Sequence, residues 1–309
     1  MGKEKMPKVF VLLSTYNGEK YLKQQINSIL AQKDVDVELR IRDDGSTDKT
    51  VSFLKKFADL KNVTVSVGEN LGWRKSFMSL LENAPIEENA YYAFSDQDDI
   101  WKSLKMSRAL SLMNNDQPMA YHSNVTIIDG QEKVISNRFA ADFKPTNKMP
   151  VAFLNGYGVG ATMVFNCKLL RLTRKFTVTR ETNHDAYVMA LAGFLGKVVY
   201  DKESFILYRR HDNTATGFGH TKRVDNPTIL MRYKRYKKNP KNNFSIRAEM
   251  ILNGYGFELS GADHRSLKWL AQYRNNFKYK LCLLLSPEIH ATGLRKTLQV
   301  KYRILMNTL

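Results

Sequence analysis

Cysteine is scarce in this chain, and long apolar runs are missing. The two cysteines among 309 residues, Cys167 and Cys282, are far apart, which argues against a disulfide framework and favours a reducing compartment. No apolar run approaches the roughly 20 residues that a membrane span needs. The charged start of the chain leads into an apolar run too short for a secretory signal. The protein is therefore expected in the cytoplasm, or attached to a membrane from the cytoplasmic side.

Acidic residues are outnumbered. Lys and Arg total 48 against 30 Asp and Glu, which gives a formal net charge of +18. The excess is uneven, because residues 202–309 contain 21 Lys and Arg but only 7 Asp and Glu. This asymmetry predicts an anionic partner, and nucleic acid, anionic lipid headgroups and phosphorylated substrates all fit it.

The chain also lacks a glycine-rich phosphate loop, since neither G-x-G-x-x-G nor G-x-x-x-x-G-K-[ST] occurs. Nucleotide phosphates would need a metal ion here. The stretch from Phe94 to Trp101 contains Asp96, Asp98 and Asp99 directly after an apolar run, and a divalent cation would offset their repulsion. Oxygen ligands without a nearby cysteine favour Mg²⁺ or Mn²⁺ over Zn²⁺. The alternative is a solvated acidic loop that caps a helix beginning near Trp101.

Short β-rich runs alternate with helical patterns along the first part of the chain. Strands are predicted at 8–13, 37–41, 63–67 and 91–94, and helices at 20–32, 49–58 and 73–83. This order predicts an α/β protein with a Rossmann-like, mainly parallel sheet. The carboxyl ends of such strands form one ligand-binding edge. That edge would gather Thr15, Tyr16, Asp43, Asp44, Asp96 and Asp98.

Four motifs in order carry a family resemblance: Leu13 to Gly18, Ile41 to Asp48, Asn70 to Gly72, and Phe94 to Trp101. Together they resemble the family 2 glycosyltransferases of GT-A fold, over residues 8–215. The S-D-Q-D-D-I-W form is similar to the branch of bacterial rhamnosyltransferases that build cell-wall, capsular and O-antigen polysaccharides.

The resemblance implies a GT-A catalytic domain at 1–215, with a nucleotide-binding half at 1–117 and an acceptor half at 118–215. Residues 216–309 are predicted to form a basic helical C-terminal extension. In the acceptor half we expect strands at 120–128, 163–165, 198–200 and 205–208, a loop at 130–150 and a helix at 182–195. In the extension we expect helices at 244–253, 266–279 and 293–306.

The resemblance also implies roles for single residues. Asp185 would be the catalytic base, although a first-turn acid also simply favours a helix dipole. Asp98 and His211 would hold the metal, although His211 also fits a surface histidine in a basic loop. Asp96 would bind the ribose or support the metal's ligands, and Arg209 would pair with the diphosphate. The remaining donor residues are Ser14, Thr15, Tyr16 and Asp44, of which Asp44 would accept the pyrimidine N3–H.

On the acceptor side, the glycine-dense segment from Gly156 to Thr162 predicts either a tight bend or a close backbone approach to a sugar. Gly160, Thr162 and His184 are the acceptor-side candidates.

The implied activity is an inverting, metal-dependent hexosyl transfer from dTDP-L-rhamnose to a lipid-linked polysaccharide acceptor. A UDP-hexose donor is the alternative within the class. A Q-x-x-R-W motif is missing, so a processive synthase is not expected. Basic and aromatic residues interleave at 231–238, which favours a peripheral site on the inner face of the cell membrane, or else a solvated tail.

Two other classes remain open at this point. A basic, aromatic-rich tail is also typical of nucleic-acid-binding proteins, but acidic clusters at strand ends would repel phosphate, so no nucleic-acid partner is expected. A non-catalytic sugar-binding protein would tolerate the loss of Asp98 and Asp185.

Overall fold

The computed structural model describes residues 6–156, 158–210 and 243–309. The chain divides into two compact units. The first contains Met1–Asn147 and Tyr157–Arg209, and the second contains Lys148–Gly156 and Arg210–Leu309. The domain boundary predicted at residue 215 lies outside the described residues and stays a prediction.

The first unit alternates strands and helices, as the apolar pattern predicts. Its first half contains β1 (Lys8–Thr15), α1 (Leu22–Leu30), β2 (Asp36–Asp43), α2 (Thr50–Leu54), β3 (Val63–Val67), α3 (Trp73–Asn83) and β4 (Tyr91–Ser95). Its second half contains β5 (Ile100–Trp101), α4 (Lys105–Ser111), β6 (Met119–Ile128), β7 (Val134–Asn137), β8 (Val164–Asn166), α6 (Cys167–Lys175), α7 (His184–Leu195) and β9 (Lys197–Arg209). The predicted α/β class is confirmed.

One mixed sheet positions the polar strand ends. The strand order is β3-β2-β1-β4-β8-β6-β9-β5, with β7 paired to β6. Strands β3, β2, β1 and β4 run parallel to one another, and β8 runs antiparallel to β4. Thr15 pairs with Asp43, and Leu13 pairs with Ser95. The carboxyl ends of β1, β2 and β4 therefore meet at one edge, as predicted.

Burial explains the apolar first strand. Residues 9–15 of β1 are all buried. Val9, Val11 and Leu13 belong to a core cluster that includes Leu22 and Ile26 of α1. A central parallel strand covered on both faces reads as a continuous apolar run rather than an alternating one.

The predicted helix beginning near Trp101 is wrong at its start. Ile100 and Trp101 form β5, pairing with Leu207 and Ile206, and α4 begins only at Lys105. The Trp101 side chain is buried, and its main-chain N–H donates to Ser28 Oγ at 3.0 Å. Long-range pairing has replaced a local helix.

Three other expectations change in the same way. The two strands predicted at 198–200 and 205–208 are one strand, β9, whose register against β6 shifts near Asn124. The loop predicted at 130–150 contains β7. Helix α6 was not predicted, although Asn166 caps it by accepting from Leu169 N at 3.0 Å.

The second unit is helical where it is described. It contains α5 (Val151–Asn155), α8 (Asn243–Tyr255), α9 (Gly261–Gln272), α10 (Phe277–Leu285) and α11 (Leu294–Leu305). The single helix predicted at 266–279 is two helices, because the Asn276 side chain accepts from Tyr279 N at 3.2 Å and starts a new one. Within the described ranges, no helix has the length and apolar character to cross a membrane.

Candidate functional site

The loop after β1 is held by Gln97, which sequence reasoning did not single out. Gln97 Oε1 accepts from Thr15 Oγ1 at 2.6 Å and from Tyr16 N at 2.9 Å, and Gln97 Nε2 donates to Tyr16 O at 3.1 Å. A Cβ at Gly18 would lie 2.5 Å from Gln97 Oε1, so a larger residue there would displace this amide. The amide thus fixes the loop, while the Tyr16 side chain stays exposed at the sheet edge.

Asp44 lies at the end of β2 in a buried hydrogen-bond chain. Its Oδ1 accepts from the Arg42 guanidinium and from Leu71 N, the latter at 3.0 Å. Arg42 Nη1 also donates to Ser76 Oγ at 3.1 Å, and that hydroxyl lies 2.6 Å from Ser14 Oγ. The predicted donor residues Asp44 and Ser14 are therefore joined through Arg42, a residue that sequence reasoning missed.

The neighbouring acid, Asp43, has a local structural role. Its carboxylate accepts from Ser46 N at 2.9 Å and from Ser46 Oγ at 2.6 Å. Gly45 completes the turn with a φ of +80°, which favours glycine. Asp43 closes the turn that presents Asp44.

The acidic turn after β4 brings together charges from distant parts of the chain. Asp96 and Asp98 are partly exposed, whereas Asp99 is buried. Burial, followed by the charges of Asp98 and Asp185, raises the pKa of Asp96 to about 7. Burial, Asp98 and Asp96 raise the pKa of Asp99 well above its ordinary value. Because Asp185 acts on Asp96, the start of α7 lies within electrostatic reach of the acidic turn.

The Asp99 side chain binds the backbone of Arg209, and the Arg209 side chain binds the backbone of Asp98, so we call Arg209 and Asp99 the acidic-turn clamp. Asp99 Oδ1 accepts from Arg209 N at 3.0 Å, and Arg209 Nε donates to Asp98 O at 2.9 Å. Arg209 Nη2 donates to Gln24 Oε1 at 2.8 Å, and the guanidinium lies 4.5 Å from the centroid of the Tyr21 ring. The Arg209 residue is only 1% exposed. A role in diphosphate binding stays a prediction for Arg209.

A buried lysine lies close to the same turn. Lys105 Nζ is 3.5 Å from the centroid of the Trp101 ring and, within the described residues, has no hydrogen-bond partner. Burial lowers the pKa of Lys105 well below its ordinary value, although the charge of Asp99 opposes this. Sequence reasoning missed Lys105, since a lysine at a helix start normally faces solvent.

Asp185 lies in the first turn of α7, where its Oδ1 accepts from Ala186 N at 2.7 Å. It contacts the glycine-dense segment closely. A Cβ at Gly160 would lie 3.1 Å from Asp185 Cβ and 3.2 Å from Asp185 Oδ2. The structure therefore brings together the predicted base and one predicted acceptor-side residue.

His184 is enclosed by aromatic rings. Its ring stacks on Phe77 with centroids 3.9 Å apart and meets the edge of Phe94 at 4.5 Å. Burial lowers the pKa of His184 to about 4, so the imidazole is neutral at pH 7. His184 is the first residue of α7, and its enclosed ring suits packing rather than proton exchange with solvent.

Thr162 is buried with its hydroxyl engaged by the main chain. Thr162 Oγ1 donates to Val159 O at 2.9 Å and accepts from Ser123 N at 3.2 Å. Its contact with an acceptor stays a prediction.

The donor atoms for a metal ion are carboxylate oxygens. No group of three or more His, Cys, Asp or Glu side chains is arranged to hold a metal within residues 6–156, 158–210 and 243–309. His211, the second predicted ligand, lies outside those ranges. Asp96 and Asp98 fit Mg²⁺ or Mn²⁺, which accept few carboxylates and complete their shell with phosphate oxygens and water. Burial is the largest cause of the raised pKa of Asp96, and the charges of Asp98 and Asp185 add a repulsion that a cation would offset.

Comparison with known proteins identifies relatives of this chain. Residues 10–173 match the model of glycosyl transferase family 2. The dTDP-rhamnosyl transferase RfbG of Shigella flexneri is 29% identical over 240 residues, which cover 73% of this chain and 81% of RfbG. The UDP-Glc:alpha-D-GlcNAc-diphosphoundecaprenol beta-1,3-glucosyltransferase WfgD of Escherichia coli is 29% identical over 164 residues, or 52% of this chain and 61% of WfgD.

Solved structures share the fold. TarS of S. aureus in complex with UDP-GlcNAc superposes with a TM-score of 0.59 at 16% identity, covering 98% of this chain and 82% of that structure. The mannosyltransferase PcManGT of Pyrobaculum calidifontis, with GDP-Man and Mn²⁺, has a TM-score of 0.50 at 14% identity, covering 98% of this chain and 86% of that structure. The predicted GT-A fold is confirmed.

Proposed function

Since the chain belongs to glycosyl transferase family 2, we propose that it transfers a sugar, with inversion, from a nucleotide-activated donor to a bacterial surface polysaccharide. The observation that carries this proposal is the position of the start of α7 beside the acidic turn: the His184 ring lies 4.5 Å from the Phe94 ring, two residues before Asp96, and the charge of Asp185 adds to the raised pKa of Asp96. A proton-accepting carboxylate and a diphosphate-binding acidic turn are the two parts that a single displacement requires.

The proposed reaction is one displacement at the anomeric carbon. The acceptor hydroxyl oxygen forms the new bond to that carbon, and its proton passes to the Asp185 carboxylate. The bond to the donor phosphate breaks, and its electron pair leaves with the nucleoside diphosphate. A divalent cation, when bound, supplies positive charge for that leaving group. Asp98 and His211 would hold it, and Asp96 would bind the ribose or support the metal's ligands.

The donor base would lie beside the carboxyl ends of β1 and β2. Thr15 and Tyr16 would line it, with Tyr16 stacking on the base, and Ser14 would keep the Arg42 and Ser76 hydrogen bonds in place. Asp44 would accept the N3–H that thymine and uracil share. This arrangement supports a pyrimidine nucleotide. The titration described below distinguishes thymine from uracil.

We propose dTDP-L-rhamnose as the donor, supported by the similarity to RfbG and by the S-D-Q-D-D-I-W motif. A UDP-hexose is the second candidate, because relatives such as WfgD are named for UDP-Glc and TarS binds UDP-GlcNAc. The diphosphoundecaprenol acceptor named for WfgD supports a lipid-linked acceptor here as well. Such an acceptor would place the protein at the inner face of the membrane.

A calorimetric titration with dTDP, UDP and GDP, each with Mn²⁺ and with EDTA, tests the proposal. We expect dTDP or UDP to bind in the presence of metal, and GDP to bind weakly. Asp98→Asn should weaken that binding, whereas Asp116→Asn, which changes an exposed acid elsewhere, should not. Absence of binding by any nucleotide would refute the donor site, and equal binding with EDTA would refute the metal role.

The role of Asp185 as the catalytic base is tested separately, by measuring the rate of sugar transfer. Asp185→Asn should keep nucleotide affinity but lower kcat roughly a thousand-fold, the scale of a lost general base. Full activity of this variant would exclude Asp185 as the base.

A further inference from the structure

Helices α10 and α11 both present an exposed row of large apolar side chains. On each helix the residues recur at helical spacing, so they share one side. Their exposed fractions range from 44% to 79%. We call them the apolar face: Phe277, Leu281 and Leu285 on α10, and Leu294, Leu298 and Leu305 on α11.

Two lysines hold these helices side by side. Lys301 Nζ donates to Leu283 O at 2.6 Å and to Ser286 O at 3.0 Å. Lys280 Nζ donates to Leu305 O at 3.4 Å. These contacts tie the middle of one helix to the end of the other, so both exposed rows belong to one rigid pair.

The opposite sides of the same helices are buried. Leu283 of α10 is completely buried, and Val300 and Ile304 of α11 are nearly so. The core of the second unit is therefore already formed by these buried apolar residues. The apolar face is additional to that core and faces solvent.

The charge on these two helices is of one sign. Helices α10 and α11 contain six basic residues and no Asp or Glu: Lys278, Lys280, Arg295, Lys296, Lys301 and Arg303. Lys278, Arg295 and Lys296 are exposed and lie next to Phe277 and Leu294 in the sequence. An occupant must therefore offer negative charge beside an apolar layer. An anionic bilayer has this order, with headgroups outside and acyl chains beneath.

We propose that the apolar face and its flanking Lys and Arg residues dock the protein on an anionic lipid bilayer. Phe277 and the leucines enter the boundary between headgroups and acyl chains, and the basic side chains extend to the lipid phosphates. This specifies the surface that would serve the lipid-linked acceptor of the proposed function, but it can be measured without any transfer reaction.

Co-sedimentation of the full-length protein with vesicles tests the surface. We expect binding to vesicles of phosphatidylcholine with phosphatidylglycerol, weak binding to phosphatidylcholine alone, and a decrease when salt shortens the Debye length from about 10 Å to about 3 Å. The double variant Leu294→Gln/Leu298→Gln should lower the partition coefficient at every salt concentration. Arg295→Gln/Lys296→Gln should lower it about ten-fold or more at low salt only.

Matched variants in the first unit serve as controls. Lys55→Gln/Lys56→Gln removes the same charge, and Leu60→Gln changes an exposed leucine of similar size. Both should bind vesicles like the unchanged protein. Equal losses in the two charge variants, with no loss in either leucine variant, would mean that net charge alone drives binding, which would overturn the specific surface.

The same variants separate the other outcomes. In one such outcome the protein does not bind vesicles, light scattering shows a dimer, and Leu294→Gln/Leu298→Gln abolishes that dimer. The apolar face would then bind a second copy of the chain, and the lipid proposal would be wrong. Metal-dependent nucleotide binding is measured in parallel. Its absence beside intact vesicle binding would count against the proposed function and not against this surface.

Discussion

At the scale of single residues, the position of Asp185 depends on a glycine. A side chain at Gly160 would press on Asp185 Cβ and Oδ2 at 3.1 and 3.2 Å, closer than comfortable van der Waals contact. A proton acceptor works only at the geometry of its reacting atom, so a small displacement weakens it strongly. The absence of a side chain at Gly160 therefore leaves room for the Asp185 carboxylate.

Gly160→Ala should lower kcat about ten-fold while leaving the melting temperature and nucleotide affinity close to those of the unchanged protein. The reason is that the new methyl group displaces the Asp185 carboxylate by a few tenths of an ångström. Steady-state kinetics with saturating donor measures the effect. Gly261→Ala is the control, because nothing lies within 4 Å of a Cβ there. An unchanged kcat for Gly160→Ala would show that Asp185 tolerates the shift or is not the base.

At the scale of elements, the pairing of β5 with β9 decides how the acidic turn is held. Two adjacent residues of the turn engage the end of β9, since Asp98 O accepts from the Arg209 side chain and the Asp99 side chain accepts from Arg209 N. Groups that orient metal ligands commonly change metal affinity when they are removed. The acidic-turn clamp would act on Asp98 in this way.

Asp99→Ala should lower Mn²⁺-dependent nucleotide affinity by about ten- to a hundred-fold, the scale seen for groups that orient metal ligands. Asp99→Asn should be milder, because its amide oxygen can still accept from Arg209 N and because the raised pKa of Asp99 disfavours the charged form. Calorimetry with and without Mn²⁺ measures both. An equal loss in the two variants would mean that the charge of Asp99, rather than its hydrogen bond, matters.

Arg209→Lys separates the two roles considered for Arg209. This variant keeps the positive charge but loses the Nε hydrogen bond to Asp98 O. A loss confined to the metal-dependent part of nucleotide binding would support positioning of Asp98. A loss that is equal with EDTA would support direct contact with the diphosphate.

At the scale of the whole molecule, buried histidines tie stability to pH. His122 and His184 both lie in the first unit, and burial lowers the pKa of each from 6.5 to about 4, with the charge of Arg138 adding to the effect at His122. Between these pH values the unfolded chain binds protons that the native protein does not. The free energy of unfolding therefore falls as the pH drops from 6.5 towards 4, and it is fully restored above 6.5.

His184→Phe should remove about 2–3 kcal/mol of that acid-induced loss, since a shift of one pKa unit corresponds to 1.36 kcal/mol. Phenylalanine keeps an aromatic ring against Phe77 but cannot be protonated. Urea unfolding at about pH 7 and about pH 4.5 measures the difference. Other titrating groups affect both proteins equally and cancel. Parallel pH profiles for the two proteins would show that His184 is not buried as a neutral ring.

The strand and helix order was predictable from the sequence because it depends on local patterns. Apolar periodicity placed β3 and α3 at their observed bounds and β1, β2 and β4 within a few residues. Because parallel strands align their carboxyl ends, the meeting of Thr15, Asp44 and Asp96 at one edge follows from that order alone. The excess of basic over acidic residues at 202–309 was equally visible.

The contacts between distant segments were decided only by the tertiary structure. Trp101 lies in a strand because β9, about a hundred residues later in the sequence, supplies its partner. Lys105 is buried and Arg209 faces protein groups for the same reason, although no local pattern indicates burial of Lys105, and Arg209 was expected to bind the diphosphate. The sequence by itself determined the strands and helices up to β4 and which acids follow those strands. Only packing decided which charges lose water and meet, since desolvation and long-range pairing leave no local pattern in the sequence.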